Sequence, residues 1–151
     1  MKAETLKIRR IPALVWGEPS GCLYLYIHGK LGYKEEAKEF ARIACRKGWQ
    51  VLSFDLPGHG ERKQEVDRFF PWYIISELES IWEYAARNWN TIALRATSIG
   101  AWFSMLSLAG KPLEKALFVS PVLDMEQLIA DMMQWSSVTV EQLKQEKEIP
   151  T

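Results

Sequence analysis

Ala96-Thr97-Ser98-Ile99-Gly100 places a serine between small residues, where a short apolar run gives way to a nearly all-apolar helical stretch. So tight a strand-to-helix turn strains its central residue and excludes bulky neighbours two positions away. Ala96 and Gly100 meet that condition, and the segment reads as a nucleophile elbow. Ser98 would then stand above a sheet at the positive end of the next helix, where the N–H of Ile99 could hold a developing oxyanion. A second segment, His28-Gly29-Lys30-Leu31-Gly32, follows another apolar run. Its two glycines let the backbone turn and present N–H groups. A third, Asp55-Leu56-Pro57-Gly58-His59-Gly60, closes a third such run.

These segments need strands to end on. Ile11–Trp16 reads as a short edge strand, with Pro12 tolerated there. Cys22–Ile27 is a continuous apolar run, too short for a helix and suited to a strand buried on both faces. Trp49–Phe54, Thr91–Ala96 and Ala116–Val119 read in the same way. Between them lie helical patterns. In Tyr33–Lys47 the apolar face is Ala37, Phe40, Ala41, Ala44 and Cys45, and Gly48 stops the helix. In Pro71 to about Trp89 the stripe is Ile75, Leu78, Trp82, Ala85 and Trp89. Ile99–Ala109 is apolar all round. Met125–Met133 and Thr139–Lys147 follow. The alternation predicts an α/β fold: a mostly parallel sheet with helices on both faces and right-handed crossovers, as a single domain over residues 1–151.

Composition narrows the function. The chain has 151 residues, 48% hydrophobic, with formal net charge +0. It lacks a long basic run, so nucleic acid is not an expected partner. No apolar stretch reaches membrane-spanning length and no signal peptide is evident, so a cytoplasmic location is expected. Cys22 and Cys45 lack metal-ligand spacing and read as small buried hydrophobes. No nucleotide fingerprint or zinc-spaced cluster is present, so neither cofactor nor metal is expected.

The three segments, in this order and at the ends of predicted strands, resemble the α/β-hydrolase superfamily over about Leu14 to Pro121. Ala96 stands where that pattern usually has Gly. The resemblance implies a three-layer fold and a small-molecule acyl substrate. It makes Ser98 the nucleophile, and the N–H groups of Ile99 and Lys30, with Leu31 as the alternative to Lys30, the oxyanion donors. In that family the triad runs Ser, acid, His. No histidine follows Ser98. By the same resemblance His28 is structural, bonding backbone carbonyls, and His59 braces its loop, as does Asp55. Asp124 is first the N-cap of the next helix and only secondarily a triad acid.

The expectation is therefore a serine hydrolase whose histidine, and its acid, lie beyond residue 151, with the last strands of the fold absent. Residues 122–151 are expected to begin a cap or lid. Ala116–Val119 would be an exposed edge, open to self-association. The rival expectation is a non-catalytic binding module that kept the fold without the triad. Trp102 reads as core, and Glu61-Arg62-Lys63 as a solvated loop.

Overall fold

The computed structural model describes residues 1–147 and divides into two compact units, Met1–Pro121 and the residues from Val122 onward. The last four residues of the sequence lie outside the described chain.

In the first unit the strands are β1 (Ala3–Ile8), β2 (Ile11–Trp16), β3 (Cys22–Ile27), β4 (Gln50–Phe54), β5 (Thr91–Thr97) and β6 (Ala116–Val119). They form one sheet in the order β1-β2-β4-β3-β5-β6. β1, β2 and β4 pair antiparallel, while β4, β3, β5 and β6 pair parallel. β1 was not expected. Its hairpin with β2 turns through Arg9, at φ 56°, and Arg10, without the Asn or Gly that marks such turns in a sequence.

Three helices cover the two faces: α1 (Lys38–Arg46), α2 (Pro71–Asn88) and α3 (Ile99–Leu108). One face carries Leu23, Leu25, Ile27, Leu52, Phe54 and Leu94, packed against Leu78 and Trp82 of α2 and Phe103 of α3. The other carries Leu14, Trp16, Tyr26 and Val51 under Ala41 and Ala44 of α1. Alternation along each strand thus supplies two cores, and the result is three layers. On α2 the buried stripe includes Ile74 and Ile81, with Ile75 only half-buried, so the helix is rotated slightly from the sequence reading. Two further expectations are corrected. Ala116–Val119 is largely exposed rather than buried on both faces, since the core beneath α1 draws its strand residues from β2, β3 and β4. Cys22 and Cys45 are half-buried free thiols rather than fully buried ones.

The second unit holds α4 (Met125–Trp135) and α5 (Val140–Glu146). Asp124 caps α4 by accepting from the Gln127 N–H at 2.9 Å. Thr139 and Gln142 form a reciprocal capping box on α5. Among the described residues no helix is long and apolar enough to cross a membrane.

β3 and β5 are direct neighbours, with Ile27 opposite Ala96, so His28 and Thr97 leave the sheet side by side. α3 starts hard against them. A Cβ on Gly100 would collide with the His28 carbonyl oxygen and come within 3.0 Å of the Ile27 carbonyl oxygen. Gly100→Ala is therefore expected to lose about 2–3 kcal/mol of stability, read as a lowered urea midpoint at an unchanged slope.

Candidate functional site

β5 ends in a turn whose centre is Ser98, at φ 52° and ψ −120°. This is the left-handed side of backbone space, costly for a residue with a Cβ and kept only where surrounding contacts enforce it. Two of those contacts are backbone hydrogen bonds. The Ser98 N–H donates to the Val119 carbonyl at 2.9 Å, and the Ser98 carbonyl accepts from the Ala101 N–H at 3.1 Å. Ser98 is half-buried and does not cap α3 with its own side chain.

The loop after β3 lies against this turn. A Cβ on Gly29 would come within 3.3 Å of both the Ser98 Cβ and the Thr97 carbonyl oxygen. The loop then closes a turn, with the Gly32 N–H donating to the Gly29 carbonyl at 3.0 Å. Leu31 in that turn has φ 68° and is 85% exposed, at a place where glycine would be unstrained. Ser98, Ile99 and the Gly29–Lys30 stretch are thus gathered at one end of the sheet. The Asp124 carboxylate serves as the cap of α4.

Both histidines are held by backbone. His28 is fully buried; its Nδ1 donates to the Gly29 carbonyl at 2.7 Å, and its Nε2 accepts from the Leu56 N–H at 3.0 Å. The expectation of carbonyl partners alone is corrected, because a ring taking one amide and one carbonyl fits a single neutral tautomer. Burial is the main cause that pushes its pKa down to about 4, opposed by the Gly29 bond and helped by nearby His59. His59 donates from Nδ1 to the Pro57 carbonyl at 2.9 Å, and its ring lies 5.1 Å from that of His28 and 5.0 Å from Phe69.

Charged side chains fix the loops, and the sequence reading missed most of them. Asp55 is fully buried and accepts from the Lys34 N–H at 2.8 Å, the Lys34 Nζ at 3.0 Å and the Glu61 N–H at 3.1 Å. Lys34 is itself 2% exposed and also donates to Glu61 and Glu35. Burial lowers its pKa, but the three carboxylates outweigh that and raise it well above its ordinary value. Arg62, expected in a solvated loop, is buried: its guanidinium donates to the Asp55 carbonyl, to Glu65 and to Glu77 of α2. In sequence, nothing separates Lys34 and Arg62 from solvent-facing neighbours such as Glu35 and Lys63.

Between the two loops a cavity of about 630 Å³ opens, walled by Leu31, Gly32, Tyr33, His59, Gly60 and Glu61. Ser98 is not one of its walls. Among the described residues no group of three His, Cys, Asp or Glu side chains is placed to hold a metal ion.

The arrangement of sheet, helices and turns has counterparts among solved structures. TT1662 from Thermus thermophilus superposes with a TM-score of 0.64 at 24% identity, over 86% of this chain and 66% of that one. Est1E from Butyrivibrio proteoclasticus, solved with bound ferulic acid, gives 0.67 at 21% identity, over 79% and 53%. This is the α/β-hydrolase fold. A third structure with that fold, the thioesterase domain from the curacin biosynthetic pathway, gives 0.65 at 18% identity, over 89% and 51%. The chain spans about half to two thirds of the length of these structures. At these identities the likeness is one of fold. No family model matches the chain, and no curated protein is significantly similar to it. The α/β-hydrolase fold accounts for the common end at which the three loops meet, since groups at the carboxyl ends of parallel strands share one crevice.

The state of His28 has a measurable consequence. Its folded pKa, near 4, lies below the unfolded value near 6.5, so the folded chain binds fewer protons in between. Its contribution to stability is complete above about pH 6.5 and is lost as pH falls toward 4, by on the order of 3 kcal/mol. Urea midpoints measured from pH 7.5 to 4.5 should fall more steeply in the wild type than in His28→Gln.

Proposed function

We propose that the protein is a serine hydrolase that cleaves an ester, thioester or related acyl bond through an acyl-Ser98 intermediate. The observation that carries this reading is the Ser98 backbone: a non-glycine residue at φ 52° between a parallel strand and a helix, against a bare Gly29. Strain of this kind has no evident packing benefit and fits a side chain held up for reaction. In the first step the Ser98 Oγ attacks the acyl carbonyl carbon and its proton passes to a base. The carbonyl π pair moves onto oxygen, where the N–H groups of Ile99 and Lys30 receive the charge. The tetrahedral species collapses, the leaving group departs with the proton, and water repeats the sequence to free the acid and restore Ser98. Each oxyanion donor is worth about 3 kcal/mol of barrier in such a step.

The base is not supplied by His28, whose two ring nitrogens are committed to Gly29 and Leu56. His59 is tied to Pro57 and serves its loop. The reading therefore takes its histidine, and the acid behind it, from outside this sequence. The same observation favours the rival reading of a binding module that keeps the fold without turnover.

A fluorophosphonate probe applied to the full-length encoded protein separates the two. Wild type should be labelled at Ser98. Ser98→Ala should lose both labelling and hydrolysis of short acyl esters, by at least about a thousandfold. Labelling that survives in Ser98→Ala removes Ser98 as nucleophile, and an unlabelled wild type favours the module.

A further inference from the structure

Leu31 is an apolar side chain held in water at a cost to its own backbone. The Gly29–Gly32 turn is closed by the Gly32 N–H donating to the Gly29 carbonyl, and of its two central residues only Leu31 has a positive φ, 68°. A turn with positive φ at that position alone is of type II, which takes glycine or asparagine there. Leucine has a Cβ that crowds the backbone in this conformation and no polar group to bond locally in compensation. Burial does not offset the strain, since the residue is 85% exposed. Strain kept without packing points to a use for the side chain.

The cavity of about 630 Å³ between the loops after β3 and β4 indicates that use. Leu31 is one of its walls, and Tyr33, 47% exposed, is another. The polar walls are largely engaged already. The Lys34 ammonium has three N–H groups and meets three carboxylates, Asp55 at 3.0 Å, Glu35 at 2.9 Å and Glu61 at 2.8 Å. His59 Nδ1 is bonded to the Pro57 carbonyl. Lys63 is exposed, and a lysine stem lies along apolar surface while its ammonium stays in water. The surface left to a ligand is chiefly the Leu31 side chain, the Tyr33 ring and glycine backbone, which suits a chain of methylenes. The same turn begins at Gly29, where a Cβ would come within 3.3 Å of the Ser98 Cβ. Successive Cα atoms lie 3.8 Å apart across trans peptides, so the Leu31 Cα is no more than about 7.6 Å from that of Gly29. A chain resting on Leu31 is within reach of an ester carbonyl at Ser98.

We propose that Leu31 and Tyr33 form the apolar wall of a substrate subsite, in the cavity between the β3 and β4 loops, that takes an alkyl chain of the ester. This rests on the hydrolase reading given above, and it concerns the Leu31 side chain rather than its N–H. An alkyl chain belongs to an ester either through its acid or through its alcohol, and two substrate series tell these apart.

The experiment compares Leu31→Asn, Leu31→Met and Tyr33→Ser with wild type, all in the full-length protein. One series sets ethyl octanoate against ethyl acetate, the other octyl acetate against ethyl acetate. In one of the two, the ratio of kcat/KM for the long chain to that for the short should fall at least about tenfold in Leu31→Asn and in Tyr33→Ser, and stay within about threefold of wild type in Leu31→Met. The ratio is the readout because a disturbance of the oxyanion donors acts on both esters alike. The urea midpoint should rise in Leu31→Asn, since asparagine tolerates positive φ. 1-Octanol, but not ethanol, should shift the ring resonances of Tyr33 in wild type and leave them in place in Leu31→Asn. Ratios unchanged in both series, an equal fall in Leu31→Met, a lowered midpoint in Leu31→Asn, or an octanol shift that survives there would each overturn the inference. A wild type that fluorophosphonate fails to label would instead remove the hydrolase reading, and the octanol titration would still decide whether the cavity takes an alkyl chain.

Discussion

Two chain segments can meet at backbone distance only where no side chain stands between them. The site end of this sheet depends on two such meetings. Gly100 lets α3 start directly over the carbonyls of Ile27 and His28, and Gly29 lets the loop after β3 lie on Thr97 and Ser98. Together they place the start of a helix, a strained serine and a glycine-rich turn within one small volume. The strain at Ser98 is sustained because its N–H and carbonyl are both bonded and its neighbours are packed on either side. Relaxing either glycine contact would release that strain and separate the groups, so packing and chemistry share the same atoms.

Loops with this much exposed surface would not hold such positions through apolar contact alone. Here buried charge does the holding. Asp55, at the end of β4, takes two hydrogen bonds from Lys34 and one from Glu61, and Arg62 ties the same loop to α2 through Glu77. Buried ion pairs of this kind add little net stability over apolar packing, but removing one partner is costly because the other is left uncompensated, typically by 3–5 kcal/mol. Their value lies in specificity: each fixes a loop in a single arrangement. His28 joins them as a neutral member, bridging the β3 loop and the backbone after β4.

Much of this was legible in the residues. Short apolar runs separated by amphipathic periods define a parallel sheet with two covered faces. Small residues around Ser98 and the paired glycines after β3 point to close turns, because only steric constraint explains them. What stayed hidden was of a different kind. β1 was missed because its hairpin turns on Arg9 and Arg10, which carry no turn signature. Lys34 and Arg62 were missed because a charged residue looks alike in a sequence whether it meets water or a carboxylate within the protein. Ala116–Val119 does stand at an edge of the sheet, as expected, but its burial was overestimated, because an apolar run reports a preference for burial and not the presence of a covering layer. The loop chemistry around Ser98 was readable from local sterics, whereas the ion pairs depend on contacts distant in sequence.

The pairing of β3 with β5 also bears on how the molecule comes into being. Cys22 meets Thr91 and Ile27 meets Ala96, so the strand that presents the glycine turn is made well before the strand that presents the serine. Parallel partners joined by long crossovers fold slowly, since loop closure must precede any reward from the contacts. During synthesis β1 and β2 can form their hairpin early, but β3 must wait as an apolar strand with one edge open until β5 emerges. The groups at the end of the sheet therefore come together only after β5 has been made. The interval before that step is when the nascent chain is most exposed to misassociation.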